Sequence, residues 1–272
     1  MAKTIRIHTS NADFQQIEAL RRNREKRQRL RAFVVEGVRP INQMIAHQWE
    51  VQAFVYARGR PLSDWAKQVL AQSTAERHYE IEPDLMATLS AKQETSELLA
   101  VATIPADDLQ RIPIQPGFLT LLFDRPSSPG NLGTLIRSGD ALRANGLVIT
   151  GHAADLYDPE TISASTGSLF ALPAVRVGSP RELEPWFNQI RATLGDLQVV
   201  GSDETAEIDL DAHQWNRPTV LILGNETWGM SAHFRARCDH IIRIRIYGSA
   251  SSLNVACAAS IMLYEIDRQR RG

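Results

Sequence analysis

The segment FLTLLFDRPSSPGNLGTLIR, residues 118–137, decides the fold class of this chain. Its first six residues form a continuous apolar run, which is typical of a strand buried on both faces of a parallel sheet. A loop rich in proline and glycine follows, and Leu132, Leu135 and Ile136 then recur at the spacing of one helix face. The segment predicts a strand, a loop and a helix, the repeating unit of an α/β protein, and Asn131 is expected to cap that helix.

The same alternation continues to the C-terminus, and we assign residues 118–272 to one domain. Further strands are predicted at residues 147–150, 174–177, 197–200, 219–223 and 241–246, and a closing helix at 253–268. Strands that alternate with helices indicate a mostly parallel sheet with helices on both faces. Ligands of such sheets bind beyond the carboxyl ends of the strands.

A smaller α/β domain is predicted over residues 1–105. Its helices are expected at residues 14–32, 40–47 and 62–71, and its strands at 33–35, 51–57 and 98–103. Residues 106–117 contain two prolines and a glycine without a sustained period, which predicts a linker between the two domains.

Composition excludes several classes of protein. The 272 residues are 43% hydrophobic, carry a formal charge of -1 and include two cysteines, so a disordered, collagen-like or disulfide-rich chain is excluded. Neither cysteine lies in a metal-binding pattern, so no metal site is expected. No apolar run is long enough to span a bilayer, and we expect no membrane association and a cytoplasmic location. The phosphate-binding glycine motifs of dehydrogenases and P-loop NTPases are missing.

The N-terminal domain has a strongly basic segment. Residues 1–60 contain 12 Lys and Arg against 5 Asp and Glu, and seven of these cations fall within residues 21–31. Like charges at helical spacing repel one another unless a polyanion neutralises them. A solvated helix face is one interpretation; the preference for arginine, whose guanidinium matches phosphate oxygens, favours phosphate contact. The candidate contact residues are Arg21, Arg22, Arg24 and Arg27.

Three polar loops follow buried strands in the C-terminal domain. They contain the patterns N-x-G-x-x-x-R at residues 131–137, L-G-N-E-x-x-G-M-S at 223–231 and I-x-I-x-G-x-x-x-S-L-N-V at 244–255. Each polar residue alone has a structural explanation, as a cap or a turn residue. The three patterns together, in this order, resemble the motifs of the SpoU (TrmH-like) family of RNA ribose 2'-O-methyltransferases, within the SPOUT superfamily. The resemblance covers residues 118–268.

The N-terminal domain is similar, more loosely, to the L30e-like substrate-binding module of many family members. The similarity is carried by Arg24, Arg27 and the sequence FVVEG at residues 33–37. Together the two resemblances imply an α/β fold with a C-terminal deep trefoil knot, S-adenosylmethionine as the cofactor, RNA as the substrate, and a homodimer that shares its site between subunits.

The resemblance also implies roles for individual residues. Gly224, Ile244 and Leu253 match cofactor-binding positions, and the matches to catalytic or RNA-contacting positions are Asn131, Arg137, Glu226, Ser252 and Asn254. Arg137 takes the position of the proposed base, yet a guanidinium pKa above 12 leaves almost none of it deprotonated at neutral pH. Either the RNA phosphate or a water accepts the proton while Arg137 orients the phosphate, or a dry site lowers the pKa. We favour the first.

The appended N-terminal module favours ribosomal RNA as the substrate. Transfer RNA is the alternative, and a catalytically silent RNA-binding or ribosome-assembly protein is another. Base methylation by a related knotted enzyme is disfavoured by the ribose-type loop at residues 252–254. Two residues depart from the family pattern: Arg245 stands where proline is usual, and Trp228 either stacks on a base or covers the site.

Overall fold

A computed structural model describes residues 2–90, 92 and 94–271. The chain divides into two compact units. The first contains Met1–Pro105 together with Tyr157–Phe170, and the second contains Ala106–Leu156 together with Ala171–Gly272. The grouping of residues 157–170 with the first unit was not predicted from the sequence, because a division into consecutive domains places them in the second.

The first unit is built on a five-stranded sheet with helices around it. Its strands are β1 (Lys3–Ile7), β2 (Ala32–Glu36), β3 (Val51–Ala57), β4 (Arg77–Ile81) and β5 (Leu98–Thr103). Its helices are α1 (Ala12–Arg22), α2 (Arg24–Leu30), α3 (Val38–Ala46), α4 (Asp64–Gln72) and α5 (Pro83–Leu89). The strand order is β1-β4-β3-β5-β2; β4 is parallel to both neighbours, whereas β5 is antiparallel to β3 and β2.

The helix predicted over residues 14–32 is two helices separated at Asn23. The Asn23 side chain accepts a hydrogen bond from the Lys26 amide, so it caps the start of α2. Arg31 adopts a left-handed conformation with φ 47°, which turns the chain into β2. Strands β1 and β4 and helix α5 were not predicted from the sequence. Four of the five residues of β1 are at least partly exposed, so no apolar run marks that strand.

Two of the predicted phosphate-binding arginines make buried interactions inside the first unit. Arg27 is 2% exposed and donates to the carbonyl oxygens of Leu20 and Arg21 at 2.9 and 3.0 Å. It also pairs with Asp158 at 3.3 Å. Arg21 pairs with the half-buried Glu36 at 3.0 Å. This placement does not fit the phosphate contact expected for Arg21 and Arg27, because their guanidinium groups are used within the protein.

Residues 157–170 join the first unit through aromatic contacts. The ring of Phe33 lies 4.7 Å from that of Tyr157, and the ring of Trp49 lies 5.1 Å from that of Phe170. The indole of Trp49 also donates to the Phe170 carbonyl oxygen at 3.0 Å. These contacts give the first unit a long-range element that no local sequence pattern indicates.

Beyond Pro105 the chain alternates between strands and helices. The strands are β6 (Leu119–Asp124), β7 (Gly146–Thr150), β8 (Ala174–Val177), β9 (Gln198–Ser202), β10 (Ile208–Asp209), β11 (Thr219–Leu223) and β12 (His240–Arg243). The helices are α6 (Pro129–Ala141), α7 (Pro159–Ser165), α8 (Ser168–Ala171), α9 (Leu183–Leu194), α10 (Ala232–Arg235) and α11 (Val255–Arg271).

The second unit is organised by a seven-stranded sheet in the order β10-β12-β9-β11-β6-β7-β8. Every neighbouring pair of strands is parallel, which confirms the predicted α/β fold with a mostly parallel sheet. All residues of β6, β7 and β11 are buried, as expected for central strands covered on both faces. Residues 106–117 pack as part of this unit, since Ile112 is 1% exposed in its core.

Membrane crossing requires a long apolar helix, and none of the helices in the described ranges has both the length and the apolar character.

The closing helix α11 is fastened at its C-terminal end by Arg270. The guanidinium of Arg270 donates to four carbonyl oxygens at 2.7 to 3.3 Å, those of Trp215, Gly117, Phe118 and Arg217. Burial lowers the pKa of Arg270. Because the other end of α11 carries residues of the site described below, this anchor fixes the position of the site as well as the helix.

Replacing Arg270 should destabilise the second unit. We expect Arg270→Ala to lower the free energy of unfolding by about 2 to 4 kcal/mol, because several carbonyl oxygens lose a charged donor. Arg271→Ala is the control: its side chain is 60% exposed and pairs with Asp267, and the expected loss is below about 0.5 kcal/mol. Urea unfolding of both variants makes the comparison, and equal midpoints would contradict the anchor.

Candidate active site

A cavity of about 430 Å³ lies at the carboxyl edge of the seven-stranded sheet. It is bordered by the ends of β9, β11 and β12 and by the first turns of α6 and α11. Seven of the eight residues predicted for catalysis or cofactor binding line it: Asn131, Gly224, Glu226, Ile244, Ser252, Leu253 and Asn254. The structure therefore brings together three loops that are far apart in the sequence.

Asn131 lies in the first turn of α6 and faces the two other loops. The prediction that it caps the helix is wrong: Ser128 is the cap, and its hydroxyl accepts a hydrogen bond from the Asn131 amide at 3.2 Å. The Asn131 side chain is thereby free for the site. It donates to Glu226 Oε1 at 3.2 Å and accepts from Asn254 Nδ2 at 2.9 Å.

The Glu226 carboxylate is surrounded by donors. Its Oε2 accepts from the amide and the hydroxyl of Ser127 at 2.9 and 2.8 Å, and its Oε1 accepts from the amide of Ser128 at 3.1 Å and from Asn131. Burial by itself would raise the pKa of Glu226, but these hydrogen bonds outweigh it and the pKa is lowered. Glu226 is therefore an ionised acceptor that fixes the loop before α6, and it is poorly suited to take up a proton.

The turn after β11 is rigid. Asn225 and Gly229 exchange two backbone hydrogen bonds of 3.0 and 2.9 Å, and Asn225 Oδ1 accepts from the amides of Thr227 and Trp228. A Cβ on Gly224 would lie 2.2 Å from the Met230 nitrogen. Gly224 is thus required by the close packing of the turn itself, in addition to any contact with a cofactor.

Asn254 serves both the helix and the cavity. Its Oδ1 accepts from the amides of Ala256 and Cys257 at 2.9 and 3.3 Å, so it caps α11, while its Nδ2 donates to Asn131. The two interpretations weighed from the sequence, a helix cap and a site residue, are therefore compatible. Ser252 and Leu253 line the cavity and are exposed to solvent.

Arg245, which stands where the family pattern has proline, anchors the loop in another way. Its guanidinium and that of Arg243 both contact the carboxylate of Asp209. These two arginines lower the pKa of Asp209 to about 2. An ion-paired arginine thus restrains the start of the 244–254 loop, which lines the cavity through Ile244 and Ile246.

Arg137 does not line this cavity. It follows Asn131 by six residues on α6, which places the two side chains about 120° apart around the helix. Arg137 is exposed. The residues that surround the cavity in this chain therefore lack the one cation that the sequence assigned to catalysis.

The two remaining basic candidates lie on the first unit. Arg22 is on α1 with its side chain 69% exposed, paired with Glu18 at 3.2 Å, and Arg24 begins α2. Their contact with RNA stays a prediction.

Several residues of the site were not predicted from the sequence. Ser127 and Ser128 were treated as loop residues, although they supply most of the donors to Glu226. Asp203, at the end of β9, also lines the cavity and pairs with Arg235. The one available signal was position: each follows a strand whose carboxyl end meets the same sheet edge.

Two family models match the chain. The SpoU rRNA Methylase family matches residues 118–264, and the SpoU L30e-like domain matches residues 11–100. The chain belongs to the SpoU rRNA methylase family. The family predicted from the three loop motifs is thereby confirmed.

Individual SpoU relatives are similar over most of the chain. It is 49% identical over 266 residues to the 23S rRNA (uridine(2479)-2'-O)-methyltransferase of Streptomyces viridochromogenes, covering 97% of this chain and 92% of that one. It is 29% identical over 188 residues to 23S rRNA (guanosine(2553)-2'-O)-methyltransferase RlmP of Bacillus subtilis, covering 69% and 71%. The crystal structure of the SpoU methyltransferase AviRb from Streptomyces viridochromogenes with the cofactor AdoMet has a TM-score of 0.89 at 48% identity, covering 96% and 99%.

Removing the charge of Glu226 should loosen this SpoU site. A glutamine at this position has a single acceptor oxygen, so we expect Glu226→Gln to lower the free energy of unfolding at pH 7 by about 1 to 3 kcal/mol. The pKa of Glu226 in the folded protein lies below its ordinary 4.5. The stabilisation is therefore fully present above about pH 4.5 and is lost as the pH falls through the lower folded value.

Urea unfolding at several pH values tests this. Glu204→Gln is the matched control, because Glu204 lines the same cavity as an exposed carboxylate. Its expected change is within about 0.5 kcal/mol. Equal stabilities of wild type and Glu226→Gln at pH 7 would show that the carboxylate does not fix the loop.

Proposed function

We propose that this protein is an S-adenosylmethionine-dependent ribose 2'-O-methyltransferase that acts on ribosomal RNA, within the 23S RNA. The observation that supports it most is the cavity in which Asn131, Glu226 and Asn254 meet at the carboxyl edge of a parallel sheet. Family membership and the names of the two rRNA-modifying relatives point the same way. A structural neighbour was solved with AdoMet.

The cavity suits the proposed cofactor. A volume of about 430 Å³ is within the range of small-molecule sites. The apolar surface that an adenine ring needs is supplied by Ile244, Ile246 and Leu253. The turn at Gly224 brings its backbone to the same cavity. Glu204, an exposed carboxylate of the lining, favours a ligand that carries a positive sulfonium. When bound, S-adenosylmethionine supplies an electrophilic methyl group.

The chain's own residues position the reacting ribose. Glu226 fixes the loop before α6 and orients Asn131, whose oxygen faces the amide of Asn254. Arg137 orients the RNA phosphate, and the phosphate or a water accepts the proton of the ribose hydroxyl. Much of the acceleration then comes from placement, which supplies several kcal/mol in well-oriented reactions.

In a homodimer with shared sites, Arg137 of one chain would complete the cavity of the other chain. On one chain this arginine points away from the cavity, so it would serve the cavity of the partner. The helix α11 has an exposed apolar stripe that a second copy could cover: Cys257, Ile261 and Tyr264 recur at helical spacing, and Ile261 and Tyr264 are 43% and 57% exposed.

We also propose the deep trefoil knot of the superfamily for the second unit. After β12 the chain passes the ends of β9 and β11, and α11 then returns to α6, where the hydroxyls of Ser138 and Ser260 lie 2.8 Å apart. Residues 1–105 are assigned to RNA binding with Arg22 and Arg24 as contacts, residues 118–272 to methyl transfer and residues 106–117 to their connection. The cytoplasm, where ribosomal RNA is modified, is the proposed location.

Methyl transfer is tested directly. Wild-type protein, labelled S-adenosylmethionine and ribosomal RNA lacking the modification should give 2'-O-methylation at a single mapped nucleotide of the 23S RNA. Arg137→Ala should lower turnover about 100-fold or more while the cofactor affinity changes less than about two-fold. Arg191→Ala, an exposed arginine on α9, is the control with normal turnover. No incorporation by the wild type into any RNA would refute the proposal.

The shared site has its own test. Mixed dimers of an Arg137→Ala chain and an Asn131→Ala chain can be isolated with two different affinity tags. One site then contains both changes and the other contains neither, so about half of the wild-type activity is expected, whereas each variant alone is inactive. Inactive mixed dimers would show that each site uses the Arg137 of its own chain.

A further inference from the structure

Trp228 is the most exposed tryptophan in the part of the chain that the structure describes. Trp228 is 80% exposed, whereas Trp186 and Trp215 are 3% and 0% exposed. An exposed indole leaves a large apolar surface in water. Proteins seldom expose such a surface unless a ligand or a partner covers it.

Trp228 stands at the rim of the cavity without entering it. The residues on either side of it, Thr227 and Gly229, both line the cavity, as does Glu226. The indole is not part of the lining. Of the two interpretations considered from the sequence, this exposure favours stacking on a base over covering the site.

The turn that carries Trp228 is held in one conformation. Asn225 and Gly229 exchange two backbone hydrogen bonds, the Trp228 amide donates to Asn225 Oδ1 at 2.9 Å, and Asn225 Nδ2 donates to the Arg125 carbonyl oxygen at 2.6 Å. Arg125 Nη2 donates to the Gly229 carbonyl oxygen at 3.2 Å. The indole is thus presented by a preformed turn, which reduces the ordering that a ligand must impose.

The surroundings suit a nucleic acid. The Arg125 guanidinium beside the turn is held by Asp124 through Nε and Nη2 at 3.1 and 2.9 Å, and its side chain is 35% exposed. The loop on the other side of the cavity presents a second aromatic ring, Tyr247, which is 88% exposed and follows the lining residue Ile246. Exposed aromatic rings next to cations are the usual arrangement for stacking unpaired bases.

We propose that Trp228 is a base-stacking residue: its indole stacks on an unpaired nucleobase of the RNA next to the ribose that enters the cavity. This inference rests on the proposed function, because it names how the same site selects its RNA. Stacking holds the neighbouring nucleotide out of the RNA stack and thereby positions the target ribose. Trp228 is a positioning residue, since it touches neither the cofactor cavity nor the reacting atoms.

Binding without turnover is the first test. The probes are an oligouridylate of about eight nucleotides and an abasic ribose-phosphate oligomer of the same length, which carry equal charge. Wild-type protein should bind the oligouridylate about ten-fold more tightly than the abasic oligomer. Trp228→Leu, apolar but unable to stack, should bind both equally, and Trp228→Phe should keep most of the preference. Equal binding of both probes by the wild type, or an unchanged preference in Trp228→Leu, would overturn the proposal.

Methylation of 23S RNA is the second test. Trp228→Leu should lower kcat/KM about ten-fold to 100-fold, mainly through KM, with cofactor affinity and oligomeric state unchanged and with rescue by Trp228→Phe. If Trp228→Leu changes the oligomeric state of the protein, the indole is a contact between subunits, and the proposal is overturned. Normal kcat/KM in Trp228→Leu overturns it while the proposed function stands. If the wild type transfers no methyl group, the proposed function fails, and the binding test still decides whether Trp228 stacks.

Discussion

The site depends on the Glu226 carboxylate and the donors around it. Glu226 follows β11, yet its oxygens accept hydrogen bonds from Ser127, Ser128 and Asn131, which lie about a hundred residues earlier in the chain. Asn131 in turn accepts from Asn254. This chain of hydrogen bonds joins all three loops, so each loop has its position only when the other two are present. Because the donors are mostly backbone amides and short hydroxyl side chains, the arrangement is stiff, and it is stiff before any ligand binds.

The polar residues of the site have two roles: some hold the loops together, and some line the cavity. Glu226, Ser127 and Ser128 form the frame, because the carboxylate accepts from the amides of both serines and from the Ser127 hydroxyl. Asn131, Glu226 and Asn254 are the members of the network that also line the cavity. A cation is missing from this set, since Arg137 lies elsewhere on α6. In the proposed dimer the frame belongs to one chain and the cation to the other, which would make catalysis depend on assembly.

Buried strands of the two units were predictable from the sequence, whereas an exposed element such as β1 was not. Strands such as β6 and β11 are buried throughout and appear as continuous apolar runs, so their positions and their place in a parallel sheet were predicted correctly. Strand β1 lies at the edge of its sheet and is largely exposed, so it carries no such signal. The basic segment at residues 21–31 shows the same limit: the arginines look alike in the sequence, but Arg27 is buried against carbonyl oxygens whereas Arg22 is in solvent.

The sequence by itself determined the fold class, the family and which loops carry the site, because apolar periodicity and residue spacing are local properties that folding preserves. Tertiary structure alone decided what each polar side chain does there. Asn131 became a site residue because Ser128 caps its helix, and Trp228 came to stand in solvent because Asn225 closes the turn beneath it. Such outcomes depend on which distant groups meet, and hydrogen bonds between residues a hundred positions apart leave no pattern in the order of the amino acids.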